Sequence, residues 1–176
     1  MFEKFGEFHS AEELNRAAAG LREEGDEASV FALAQENGLD REDAEDYLAG
    51  ETEELATPAL AAAGRITVWN REMNSQKTNP MERIAGQVIL GMLQTMITDP
   101  DLAGAVMQNS SGPRAIYRAI REEARKHASG SGQNRMAVAC GTDRQLKEII
   151  RTYFLQPKKL RAKLAALYTV DGEGER

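Results

Sequence analysis

Arg114, Arg118, Arg121 and Arg125 recur every three or four residues. On a helix of 3.6 residues per turn they fall within an arc of roughly 60°. That is a row of guanidinium groups suited to phosphate or carboxylate oxygens. Arg144, Lys147 and Arg151 repeat the pattern on a second stretch, and Lys158, Lys159, Arg161 and Lys163 follow. Like charges at i, i+4 destabilise an isolated helix by a few tenths of a kcal/mol per pair, so helix stability does not explain the rows. Two explanations stand: recognition of anions, or pairing with carboxylates such as Glu122, Glu123, Glu148 and those near the N-terminus. Arg114, Arg118, Arg121, Arg125, Arg144, Lys147 and Arg151 are the candidate nucleic-acid-binding set, with DNA as the polyanion.

The opposite chemistry sits upstream. Glu42, Asp43, Glu45 and Asp46 are opposed only by Arg41 in the same short helix. The surrounding spacing is that of a helix-turn-helix: Ala34 four residues before the turn glycine Gly38, then apolar Leu39, with Ala44 and Tyr47 as the inward positions of the second helix. As a DNA reader this unit fails. A duplex carries one negative charge per ~1.7 Å of axis and repels an acidic recognition helix. The four carboxylates, Glu42, Asp43, Glu45 and Asp46, are therefore either a solvated face or a docking surface for a basic protein groove, and they form the candidate partner-binding set.

Catalytic chemistry has little to draw on. His9 and His127 are far apart in sequence and lack companions at metal-ligand spacing. No Gly-rich phosphate loop precedes a helix, and no nucleophile elbow is present. Asp99 and Asp101 flank Pro100 in the pattern of a helix cap. Glu122 and Glu123 diverge by ~100° on a helix and cannot share one substrate. The chain reads as non-enzymatic, with no cofactor and no metal.

The elements that position these residues are helices. Ser10 with Glu13, Asp26 and Asp40 predict N-caps for three short helices, with Gly25, Gly38 and Gly50 as their stops. Thr57-Pro58, Asn79-Pro80, Asp99-Pro100 and Gly112-Pro113 each open another. The helix from Pro58 ends either near Gly64 or at Met73, because Arg65–Trp69 is β-tolerant. Met81, Ile84, Ala85, Val88, Met92, Leu93 and Met96 predict a core-facing stripe. Residues 129–134 read as a flexible connector and Met136–Cys140 as a short extended piece with a buried thiol. Thr142 or Asp143 then caps a helix with Leu146, Ile149, Ile150, Tyr153 and Phe154 inside. A last basic helix follows Pro157.

Hydrophobic residues make up 41% of the 176 and aromatics 6%, a composition that favours packed helices over sheets. Charge divides the chain. Residues 1–55 hold 17 acidic and 4 basic side chains, residues 56–176 hold 11 and 18, and the whole carries −6. The expected fold is mainly α. A small acidic three-helix, helix-turn-helix-like bundle (1–55) packs with a larger basic helical domain (56–168), and a flexible tail (169–176) ends the chain. Opposite net charges predict that the acidic bundle lies over the arginine rows. One cysteine, no long apolar run and no signal-like N-terminus predict a cytoplasmic protein without a membrane span.

Several stretches taken in order resemble proteins of bacterial mobile elements. They are Phe5-Gly6-Glu7-Phe8-His9-Ser10-Ala11-Glu12-Glu13-Leu14, Glu24-Gly25-Asp26, the Ala34–Leu48 unit, Asp101-Leu102-Ala103-Gly104-Ala105-Val106, and Lys147-Glu148-Ile149-Ile150-Arg151-Thr152-Tyr153-Phe154. The set, spanning about residues 5 to 155, is similar to the anti-CRISPR Cas9-inhibitor families, some of them related to PcfK-like conjugation proteins. The resemblance implies a small non-enzymatic protein that binds the guide-RNA-loaded Cas9 nuclease and blocks DNA recognition or cleavage. Such a nuclease holds nucleic acid in basic channels, where an acidic helix can compete. The alternative is a conjugation or phage accessory protein that works through its basic half on nucleic acid.

Overall fold

A computed structural model describes residues 4–75, 78–128 and 142–168. Among these residues the chain is helical, with no strand: α1 (Ala11–Glu23), α2 (Glu27–Glu36), α3 (Arg41–Ala49), α4 (Pro58–Met73), α5 (Pro80–Gln94), α6 (Pro100–Met107), α7 (Gly112–Lys126), α8 (Asp143–Leu155), a 3-10 turn (Pro157–Lys159) and α9 (Leu160–Ala166). The 129–134 connector, the Met136–Cys140 piece with its thiol, and the 169–176 tail lie outside the described residues.

The starts follow the local chemistry. Ser10 accepts from the Glu13 amide, and the Glu13 carboxylate reaches back to the His9 amide at 2.8 Å. Asp26 accepts from the Ser29 amide and hydroxyl, which holds its carboxyl below the usual carboxylate range. Asp40 and Asp43 make a reciprocal capping box. Prolines occupy the first position of α4, α5 and α6 and the second of α7.

The helix opened by Pro58 runs to Met73, and burial is the reason. Ala61, Ala62, Ile66, Val68, Trp69 and Met73 are all buried, with α4 packed against α1, α5 and α6. A helix enclosed on several sides buries β-branched and aromatic side chains whose intrinsic preference is for strand. Around α4, one hydrophobic cluster runs without a break from Ala11 and Leu14 through Leu33, Trp69, Leu102 and Ile150 to Leu164. Trp69 stacks near Phe154, ring centres 6.3 Å apart, tying α4 to α8.

At the middle of this packing sits a charge. The Arg65 side chain is 3% exposed and pairs with Glu7. It donates to the carbonyl of Phe8 and, at 3.4 Å, to that of Met107. The guanidinium thus fastens the N-terminal segment and the end of α6 to α4. Burial pushes its pKa down to about 10, while Glu72 works in the other direction, so it remains charged at neutral pH.

The expected stripe of α5 holds only toward its C-terminal end, where Leu93 is buried and Met92 and, just beyond the helix, Met96 pack against the core. Met81, Ile84 and Val88 are 66%, 56% and 47% exposed. The buried side of the helix is Gly86, Ile89, Leu90 and Leu93, roughly 160° around the axis from that stripe. The first half of the helix carries two apolar faces, and there the sequence pattern alone favours the exposed one. Gly86 disguises the buried face because it contributes no side chain. A Cβ there would lie 2.2 Å from the Met73 Cε that fills the space.

Candidate functional site

The exposed stripe of α5 is one wall of an open groove of about 660 Å³. Tyr117, Ile120 and Ala124 of α7 form the facing wall, Leu146 and Ile149 of α8 and Leu167 beyond α9 close the rest, and Arg121 and Arg125 stand on its edge. The arginine row lies about a quarter-turn around α7 from the Tyr117–Ile120–Ala124 stripe. Arg118, Arg121 and Arg125 are exposed. Arg114 is half-buried and donates to Thr78 Oγ1 at 2.8 Å, with Glu82 at 3.4 Å.

The second row is similarly divided. Arg144 and Lys147 are exposed. Arg151 binds the Asp99 carboxylate at 2.6 Å, joining α8 to the N-terminus of α6. Asp99 also caps α6 through the amides of Asp101 and Leu102. The hydrogen bond from Arg151 is the main reason its carboxyl lies below the usual range. Lys163 does the same for Glu148, and Lys126 for the buried Glu123, whose other oxygen faces His127 at 3.4 Å.

Masking of the arginine rows by the acidic N-terminal helices was the electrostatic expectation. The structure uses other partners. Arg114, Lys126, Arg151 and Lys163 take Glu82, Glu123, Asp99 and Glu148, all from the second part of the chain. The principal packing partners of α7 are α5 and α9, whereas α1 packs on α2 and α4, and α2 on α3.

The four acidic candidates on α3 do not share one role. Glu45 pairs with Arg41 at 2.7 Å, and the Arg41 guanidinium lies over the Phe31 ring at 4.7 Å. Asp43 closes the capping box. Asp43 and Asp46 face a shallow hollow of about 300 Å³ that Glu53 and Glu54 complete from the segment after α3. Glu42 is exposed on the outer side of the helix. Sequence reading missed Glu53 and Glu54, although the acidic run Glu51–Glu54 was the available signal. It also missed the groove, which depends on how three separated helices meet.

Among the described residues no group of three or more His, Cys, Asp or Glu is placed to hold a metal ion, and no helix is long and apolar enough to cross a membrane. Comparison with protein-family models, with curated proteins and with solved structures gave no match to this chain.

Proposed function

We propose that this chain is a non-enzymatic inhibitor that binds a guide-RNA-loaded Cas9 nuclease and blocks target DNA recognition or cleavage. In this reading residues 1–55 are an acidic three-helix, helix-turn-helix-like unit, and residues 56–168 are its basic helical counterpart. The observation that carries it is the hollow lined by Asp46, Glu53 and Glu54, with Glu42 exposed on the same short helix as Asp46. A nuclease channel built to hold phosphates attracts such a surface and repels an ordinary basic reader. The ordered motifs resembling anti-CRISPR families supply the identity of the target.

The test is charge reversal at positions that do no structural work. Glu42→Lys, Asp46→Lys and Glu53→Lys together leave the capping box and the Arg41–Glu45 pair in place. Plasmid cleavage by a panel of Cas9 orthologues is the readout, with circular dichroism reporting the fold. At least one orthologue is expected to be inhibited by the native chain, and the triple variant should lose that inhibition at least tenfold, as expected for loss of close charge pairs across an interface. No inhibition of any orthologue, or undiminished inhibition by a folded triple variant, overturns the reading.

The exposed arginines favour a second reading, an accessory protein of a mobile element that binds nucleic acid. Here Arg114 separates from its row. Each phosphate contact contributes a slope of about −0.9 to log K against log salt. Replacing Arg118, Arg121 and Arg125 with alanine is expected to flatten the slope for duplex DNA by up to about 2.7. Arg114→Ala should leave the slope unchanged and lower thermal stability instead. A gel-shift titration without binding at low salt removes DNA from the partners.

A further inference from the structure

The groove between α5, α7 and α8 carries an inference independent of the nuclease reading. Met81, Ile84 and Val88 expose their side chains on one wall, opposite Tyr117 and Ile120, with Ile149 toward the base. Three large apolar side chains about half exposed or more, side by side, form a contiguous patch of the kind that marks an interaction surface. Their spacing is that of two helical turns, a run of roughly 10 Å along α5. An open trough of that length, with anchors at i, i+3 and i+7, matches an amphipathic helix laid lengthwise.

Charge selects the occupant. α7 holds five basic residues against two acidic, α8 three against two, and the 3-10 turn with α9 four against none, while α5 is balanced with Glu82 and Arg83. A second copy seated groove to groove would set two net-basic faces against each other, and like charges across an interface disfavour it. We propose that the groove docks an amphipathic α-helix of a partner protein whose apolar stripe fills the trough and whose flanking carboxylates meet Arg121 on its edge.

A fluorescein-labelled helical peptide of about 18 residues tests this, long enough to hold helical structure. It has leucines at i, i+4, i+7 and i+11 flanked by glutamates, and its counterpart has every glutamate replaced by lysine. With the full chain, anisotropy titration should show the acidic peptide binding at least about tenfold more tightly than the basic one. Ile84→Glu should weaken the acidic peptide about tenfold or more, because that side chain is exposed in the free protein and its loss acts on the contact. Arg121→Glu should remove most of the preference between the peptides. Circular dichroism and the unfolding midpoint check that each variant folds.

Four results overturn the proposal. Equal binding of the two peptides removes the charge argument. Unchanged binding by a folded Ile84→Glu variant places the peptide elsewhere. A native dimer in light scattering that Ile84→Glu dissociates makes a second copy the occupant. Absence of binding by the native chain overturns it as well, and binding gained when Met136 and Val138 become serine then makes the chain's own 129–141 segment the occupant.

Discussion

Arg65→Ala is expected to destabilise the protein by about 3–5 kcal/mol, the cost of breaking a buried ion pair from one side. The substitution strands the Glu7 carboxylate and the carbonyls of Phe8 and Met107, which the guanidinium now satisfies together. It also leaves an unfilled space beside α4. Glu7 is 28% exposed, so water reaches the abandoned carboxylate and the loss should fall toward the lower end of that range. For a chain of this size the unfolding midpoint should fall by on the order of 10 °C. Arg65→Met separates the contributions: it fills most of the volume but satisfies none of the three acceptors. Glu7→Gln, which keeps an acceptor oxygen, should cost much less than either. Denaturant titrations of the three variants check the order, and an Arg65→Ala variant as stable as the native chain would show that the guanidinium does not hold these segments together.

Most helix starts were legible because capping is local chemistry. Ser10 with Glu13, Asp26, Asp40 and the proline-led starts of α4, α5, α6 and α7 are each decided within a few residues. What lay beyond the sequence was decided at a distance. The end of α4 depended on burial of Ile66, Val68 and Trp69 by three other helices. The two apolar faces of α5 could not be ranked without knowing that Met73 fills the place beside Gly86. Arg65 gave no periodic signal, and its partner Glu7 is 58 residues away. The arginine row was legible as a row, but the partial burial of Arg114 against Thr78 and Glu82 was not. Periodicity identifies a face; only the neighbours decide whether that face is core, groove or solvent.

The same distinction gives three glycine-to-alanine substitutions of opposite sign. At Gly64 a Cβ would stand 2.3 Å from the Asn37 carbonyl oxygen and 3.1 Å from Leu39 Cδ2. At Gly38, whose φ is +75°, it would stand 2.3 Å from the Gly64 carbonyl oxygen. These two glycines let the turn between α2 and α3 press directly on α4, backbone against backbone. No rotamer change relieves the contact, because the obstacles are main-chain atoms, so the helices must separate. Overpacking of this kind costs about 1–3 kcal/mol, and an unyielding neighbour puts Gly64→Ala at the top of that range. Gly38→Ala should cost more, since left-handed backbone adds about 1–2 kcal/mol for a residue with a side chain. Gly20, inside α1, meets nothing within 4 Å. Gly20→Ala should therefore stabilise the chain by roughly 0.5–1 kcal/mol through helix propensity. Thermal unfolding of the three variants is the measurement. Tolerance of alanine at both Gly38 and Gly64 would mean that the α2–α3 turn does not press on α4.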